Sequence, residues 1–99
     1  MSLALRWTEQ ATNQLGTIAE YISLASPVYA EQMVERIVSR LRQAQDFPDS
    51  GRRVPEFGRS DVRELFEAPY RVVYRITSSN IEVVAVVHGR RELPPQLEG

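Results

Sequence analysis

The stretch Tyr70-Arg71-Val72-Val73-Tyr74-Arg75-Ile76, followed after a short gap by Ile81-Glu82-Val83-Val84-Ala85-Val86-Val87-His88-Gly89-Arg90-Arg91, decides the fold. β-Branched and aromatic residues dominate both runs, which suits a pleated sheet, and Ser78-Ser79-Asn80 between them favours a tight turn. The two runs read as a hairpin. With the turn centred on Ser78-Ser79, residues facing each other have numbers that sum to 157. One face then carries Val72, Tyr74, Ile76, Ile81, Val83, Ala85 and Val87, the expected core face. The other carries Arg71, Val73, Arg75, Glu82, Val84, Val86 and His88. In this register Arg75 stands opposite Glu82, while Arg71 stands opposite Val86 and diagonal to His88, so arginines and the only histidine share one floor.

Working outward, Val62-Arg63-Glu64-Leu65-Phe66 is a third strand, set off by Ala68-Pro69. Upstream, Leu3, Leu5 and Trp7 alternate with Ala4 and Arg6, the period of a strand. Thr8 is placed to cap a helix with Glu9 in its first turn and Ala11, Leu15, Ile18, Ala19 and Ile22 along one stripe. Ser26-Pro27 starts a second helix, with Ala30, Val34, Ile37, Leu41 and Ala44 on its apolar stripe, widened by Met33 and Val38. The short connection makes the two helices antiparallel. Residues 47–58 read as a loop from their prolines and glycines, long enough to suggest a use in binding. The Pro94-Pro95 pair excludes a regular helix through the tail. The expectation is one α+β domain over residues 1–99, ordered β-α-α-β-β-β, with a helical hairpin packed on a small antiparallel sheet.

The chain has no cysteine, so neither disulfides nor thiolate metal sites contribute, which is compatible with the cytoplasm. The longest apolar run, Val83–Val87, is far too short to span a bilayer. Residues 1–49 hold four arginines against six acids and residues 50–91 eight against five, so the sheet half carries a modest positive field. All twelve basic residues are arginine, whose planar fork suits carboxylate and phosphate alike. A cysteine cluster, a histidine pair and a glycine-rich phosphate loop are all lacking, and no metal or organic cofactor is expected.

Arg63-Glu64-Leu65, then Tyr70-Arg71-Val72-Val73-Tyr74-Arg75, then Val86-Val87-His88-Gly89-Arg90-Arg91-Glu92-Leu93, in that order and at this length, resemble the signature of the RelE/ParE family of bacterial toxins. The resemblance implies a toxin of a type II toxin-antitoxin module, held as a hetero-oligomer by a cognate antitoxin that lies across the sheet and hairpin groove. Within the family, ribosome-dependent messenger-RNA endonucleases of the RelE kind carry arginines that match Arg71 and Arg91. They also use lysines and a C-terminal tyrosine that this chain lacks. The ending Val86-x-His88-x-Arg90-x-Glu92-Leu93 and the long hairpin look more like the ParE branch, which poisons DNA gyrase by binding.

The residues expected to meet the target or partner are Arg63, Arg71, Val73, Val84, Val86, His88, Arg90 and Arg91. If the chain cleaves RNA, Arg71 and Arg91 would stabilise charge on the phosphorane and His88 would move protons. A lone histidine at a strand end has a plainer use, hydrogen-bonded to backbone or carboxylate. Arg75 reads as the ion-pair partner of Glu82. Arg71 has a structural reading as the ion-pair partner of Glu64, but with no acid directly opposite the functional reading is favoured.

Overall fold

The hydroxyls of Thr8 and Ser26 accept the backbone N–H groups of Ala11 and Tyr29, both at 3.1 Å, and so start helices α1 (Glu9–Ser23) and α2 (Pro27–Asp46). Pro27 sits in the first turn of α2, where its missing N–H leaves nothing unsatisfied. Ala30, Met33, Ile37, Leu41 and Ala44 recur at three- and four-residue spacing and are buried. Each large side chain there contributes about 1.5–3 kcal/mol of apolar burial. A Cβ at Gly16 would meet nothing within 4 Å, so packing does not require glycine there, and a thermal melt of Gly16→Ala should show the helix stabilised by about 1 kcal/mol.

The computed structural model describes residues 2–93; the Pro94-Pro95 tail lies outside them. The strands are β1 (Ala4–Trp7), β2 (Arg52–Arg53), β3 (Val62–Glu67), β4 (Tyr70–Ile76) and β5 (Asn80–His88), in the spatial order β1-β5-β4-β3-β2. The sheet is mostly antiparallel. Two features go beyond the expected pattern: β1 pairs parallel to β5, and two residues of the long loop form the edge strand β2. The Ala68–Pro69 peptide in the β3–β4 turn is cis.

The expected hairpin register holds only for its first half. Tyr74, Arg75 and Ile76 face Val83, Glu82 and Ile81, but Val73, Val72, Arg71 and Tyr70 face Ala85, Val86, Val87 and His88. Val84 has no opposite number, so β5 carries one extra residue. Because side chains alternate with a period of two, everything after this bulge changes sides. Val86 joins the core beneath the helices, while Ala85 and Val87 turn to the opposite face, the reverse of the sequence expectation.

Both faces of the sheet are covered. On one lie α1 and α2, packed on Val72, Tyr74, Ile81, Val83 and Val86. On the other, Val54, Phe57 and Leu93 cover Val62, Val73, Val84, Ala85 and Val87. Double burial accounts for the unbroken apolar run in β5, since neither face meets water. The long loop is therefore largely a lid. Tyr74 pins its start by donating its hydroxyl proton to Pro48 O at 2.6 Å and accepting Gly51 N–H at 3.1 Å. A Cβ on Gly51 would stand 2.5 Å from that hydroxyl and 3.0 Å from the Glu64 carbonyl, so only glycine fits.

Candidate functional site

Arg71 lies on the lid face and is 5% exposed. A guanidinium has five N–H donors, and all five are used here. Nε and one of Nη2 go to Glu64 Oε1, the other Nη2 proton goes to Glu56 Oε1 at 2.9 Å, and Nη1 donates to Glu56 Oε2 at 2.9 Å and to Arg91 O at 3.0 Å. Glu64 Oε2 in turn accepts from Arg52, whose guanidinium also lies 5.0 Å over the Phe66 ring. Glu56 Oε2 takes the Leu93 N–H at 3.0 Å. Two arginines and two glutamates thus form a neutral clamp joining β2, β3, β4, the lid and the C-terminal segment. Of the two readings of Arg71, as an ion-pair partner of Glu64 or as a functional group, the Glu64 pairing is present, and Glu56 of the lid adds a second acid that the sequence did not single out.

The clamp pulls the Glu56 carboxyl down from 4.5 to about 2, chiefly through the Arg71 hydrogen bonds, against opposing burial and with help from the Leu93 amide. Arg71 is pushed up by the same bonds, those of Glu56 first. A folded pKa below the unfolded one contributes stability that is complete above pH about 4.5 and is lost as pH falls toward 2. Acid titration of the wild type should show this loss in that window, and Glu56→Gln should flatten it. Identical acid profiles would assign the effect to other carboxylates.

The bulge also breaks up the expected trio. His88 is carried to the helix face, where its ring meets Tyr70 edge-on at 6.2 Å and its Nδ1 accepts the Arg90 N–H at 3.2 Å. Arg71 lies across the sheet from it. Between α1 and the end of β5 runs an open groove of about 980 Å³, lined by Gln10, Gln14, Tyr21, Tyr70, His88 and Arg91 among others. Gln14 helps to shape it by accepting the Val86 N–H at 2.8 Å. A second hollow of about 540 Å³ shares Tyr21 and Tyr70 and runs on to Leu24 and Tyr29 at the hairpin tip. Tyr21, which lines both hollows, and Leu24, which lines the second, are 73% and 86% exposed.

Of the residues expected at the site, His88, Arg90 and Arg91 are exposed, His88 and Arg91 line the groove with Arg90 between them in the chain, and among the described residues no carboxylate pairs with either arginine. Val73, Val84 and Val86 are at most 1% exposed, the first two under the lid and the third under the helices. A partner therefore meets what covers them. Arg63 is spent on the loop carbonyls of Ser60, Asp49 and Gly51. Arg75 pairs with Glu82 as expected. Glu56, Tyr21 and Tyr70 are additions that strand alternation does not single out. Among the described residues no three of His, Cys, Asp and Glu converge as metal ligands, and no helix is long and apolar enough to cross a membrane.

A helical hairpin on a five-stranded, mostly antiparallel sheet is the architecture of the RelE/ParE toxins. The chain superposes with a TM-score of 0.71 on a chain of the chromosomal ParDE TA system from P. aeruginosa, at 26% identity over 88% of this chain and 96% of that one. The family described as the ParE toxin of the type II toxin-antitoxin system, parDE, matches residues 5–93, and the chain belongs to it. It is 35% identical over 96 residues to the candidate toxin Y4kP of Sinorhizobium fredii, covering 94% of this chain and 95% of that protein. It is 28% identical over 86 residues to toxin RelE2 of Caulobacter vibrioides, covering 86% and 93%. It is thus a type II toxin, and the family implies an antitoxin partner.

Proposed function

We propose that the chain acts in the cytoplasm by binding and poisoning DNA gyrase, without hydrolysing a substrate itself, and that its cognate antitoxin neutralises it. The observation that carries this reading over RNA cleavage is the state of Arg71. Transition-state stabilisation needs donors aimed at the developing charge, and every donor of Arg71 is committed to a carboxylate or to the Arg91 carbonyl. The match to the ParE toxin family supports the same side. The groove supports the antitoxin part: exposed Tyr21 and Leu24 suit the apolar side of a partner segment, and Arg91 in the lining, with exposed Arg90 next to it in the chain, suits its carboxylates.

The test is gyrase supercoiling and gyrase-mediated DNA cleavage with the purified chain, with and without the antitoxin encoded in the same operon. Inhibition that the antitoxin relieves is the expected result. Kinship with toxin RelE2 favours ribosome-dependent messenger-RNA cleavage as the second reading. A folded chain that leaves gyrase untouched but cuts ribosome-bound message would establish that reading, with His88 and Arg91 the groups left to carry it.

A further inference from the structure

The exposed arginines stand on a segment that leaves the sheet, and its anchoring is unequal. Upstream, Gly89 N–H donates to Pro69 O at 2.7 Å and Arg91 N–H to His88 O at 3.0 Å, closing a turn at the end of β5. Downstream, among the described residues, the backbone is tied at two points, and both ties go to the clamp: Arg91 O accepts from Arg71, and Leu93 N–H donates to Glu56. Glu56 itself sits on a rigid base. The Phe57 and Gly58 N–H groups both return to Val54 O, Val54 is fully buried, and Gly58 takes a φ of 62° that favours glycine.

We propose that Glu56 is a positioning residue for partner binding: through Arg71 and the Leu93 amide it fixes where Arg91 stands at the groove, and with it the adjoining Arg90. The proposal rests on the reading of the groove as the antitoxin seat. Its physical basis is that a preformed contact segment binds without first having to be ordered. Glu56 touches the partner in no part of this scheme; it acts through the two arginines.

The experiment uses the full chain and the antitoxin of its operon, with Glu56→Ala, Glu56→Gln, Arg90→Ala/Arg91→Ala, and Glu56→Ala added to that pair. In Glu56→Ala, Leu93 amide exchange should speed up about tenfold or more while the β4 and β5 amides keep their protection. Antitoxin affinity should fall about tenfold, mainly through faster dissociation. In the Arg90→Ala/Arg91→Ala background, Glu56→Ala should add nothing, because its effect passes through those arginines. Should Glu56→Ala fail to fold, Glu56→Gln, which keeps the shape and removes the charge, takes its place in every comparison. Unchanged Leu93 exchange overturns the proposal, as does a Glu56 loss that adds in full to the arginine loss. If the arginine pair binds like wild type, the antitoxin seat and the positioning role both fall, and Leu93 exchange alone reports whether the tie exists.

Discussion

Arg71→Ala is expected to lower stability by about 3 kcal/mol, the lower end of the roughly 3–5 kcal/mol for removing one partner of a buried ion pair. The side chain of Glu64 is 0% exposed and would keep a single cation, Arg52, whose own side chain is 60% exposed. Glu56 would lose both Arg71 contacts, and the Arg91 carbonyl its donor. For a domain of this size that corresponds to a fall in Tm on the order of 15–20 °C. Thermal melts of Arg71→Ala and Arg71→Lys check it; lysine keeps the charge but supplies three donors to a five-donor site, so it should fall between. A melt unchanged by Arg71→Ala would mean that the clamp is not closed in solution. The result also bears on function: loss of toxicity in Arg71→Ala cannot be read as loss of a catalytic group unless the variant is shown to be folded.

Val84→Glu should unfold the domain at neutral pH. Val84 is 1% exposed in the layer formed with Val54, Val73, Val87 and Leu93. A glutamate there must take up a proton, which costs about 4 kcal/mol at pH 7 from an ordinary pKa near 4.3, or remain charged at still greater cost. That consumes most of the margin of a small domain at the low end of the roughly 5–15 kcal/mol by which domains are stable, and the buried carboxyl, left without hydrogen-bond partners, costs more. The penalty shrinks as the pH approaches the carboxyl's own range, so circular dichroism should find the variant more structured at pH 5 than at pH 7. Wild-type stability at pH 7 would mean that the lid face is open and that Val84 is available to a partner after all.

These two positions mark what the chain's pattern discloses. Helix caps, the apolar stripe of α2 and the existence of three consecutive strands follow from short-range chemistry, and Thr8, Ser26, Ile37 and the pairing of Arg75 with Glu82 were legible as such. The bulge was not. Val83, Val84, Ala85, Val86 and Val87 are all apolar, so alternation carries no mark of where one residue slips, and burial on both faces removes the polar contrast that would show it. For Arg71 the strand neighbour Glu64 is legible as a partner, but Glu56 lies fifteen positions upstream on the lid, beyond any local periodicity. Of the candidate site, Arg90, Arg91 and His88 are legible from the Val86–Leu93 stretch, but the separation of His88 from Arg71 depends on the bulge, and the bond from Arg71 to the Arg91 carbonyl on the assembled sheet.

The extra residue in β5 has a consequence for how such modules diverge. The hairpin turn at Thr77–Asn80 and the register of Tyr74–Ile76 lie on one side of it, and the groove-facing His88 and the arginines beyond on the other. The side chains at positions 90 and 91 are exposed, so changes there leave the interior packing alone, while His88 also meets Tyr70 at the core's edge. A cell holding several sister modules needs each inhibitor to ignore the other toxins, and discrimination of that kind is built from mismatched charges as much as from matched ones. The strand end past the bulge is a place where that discrimination can be rewritten without refolding the protein.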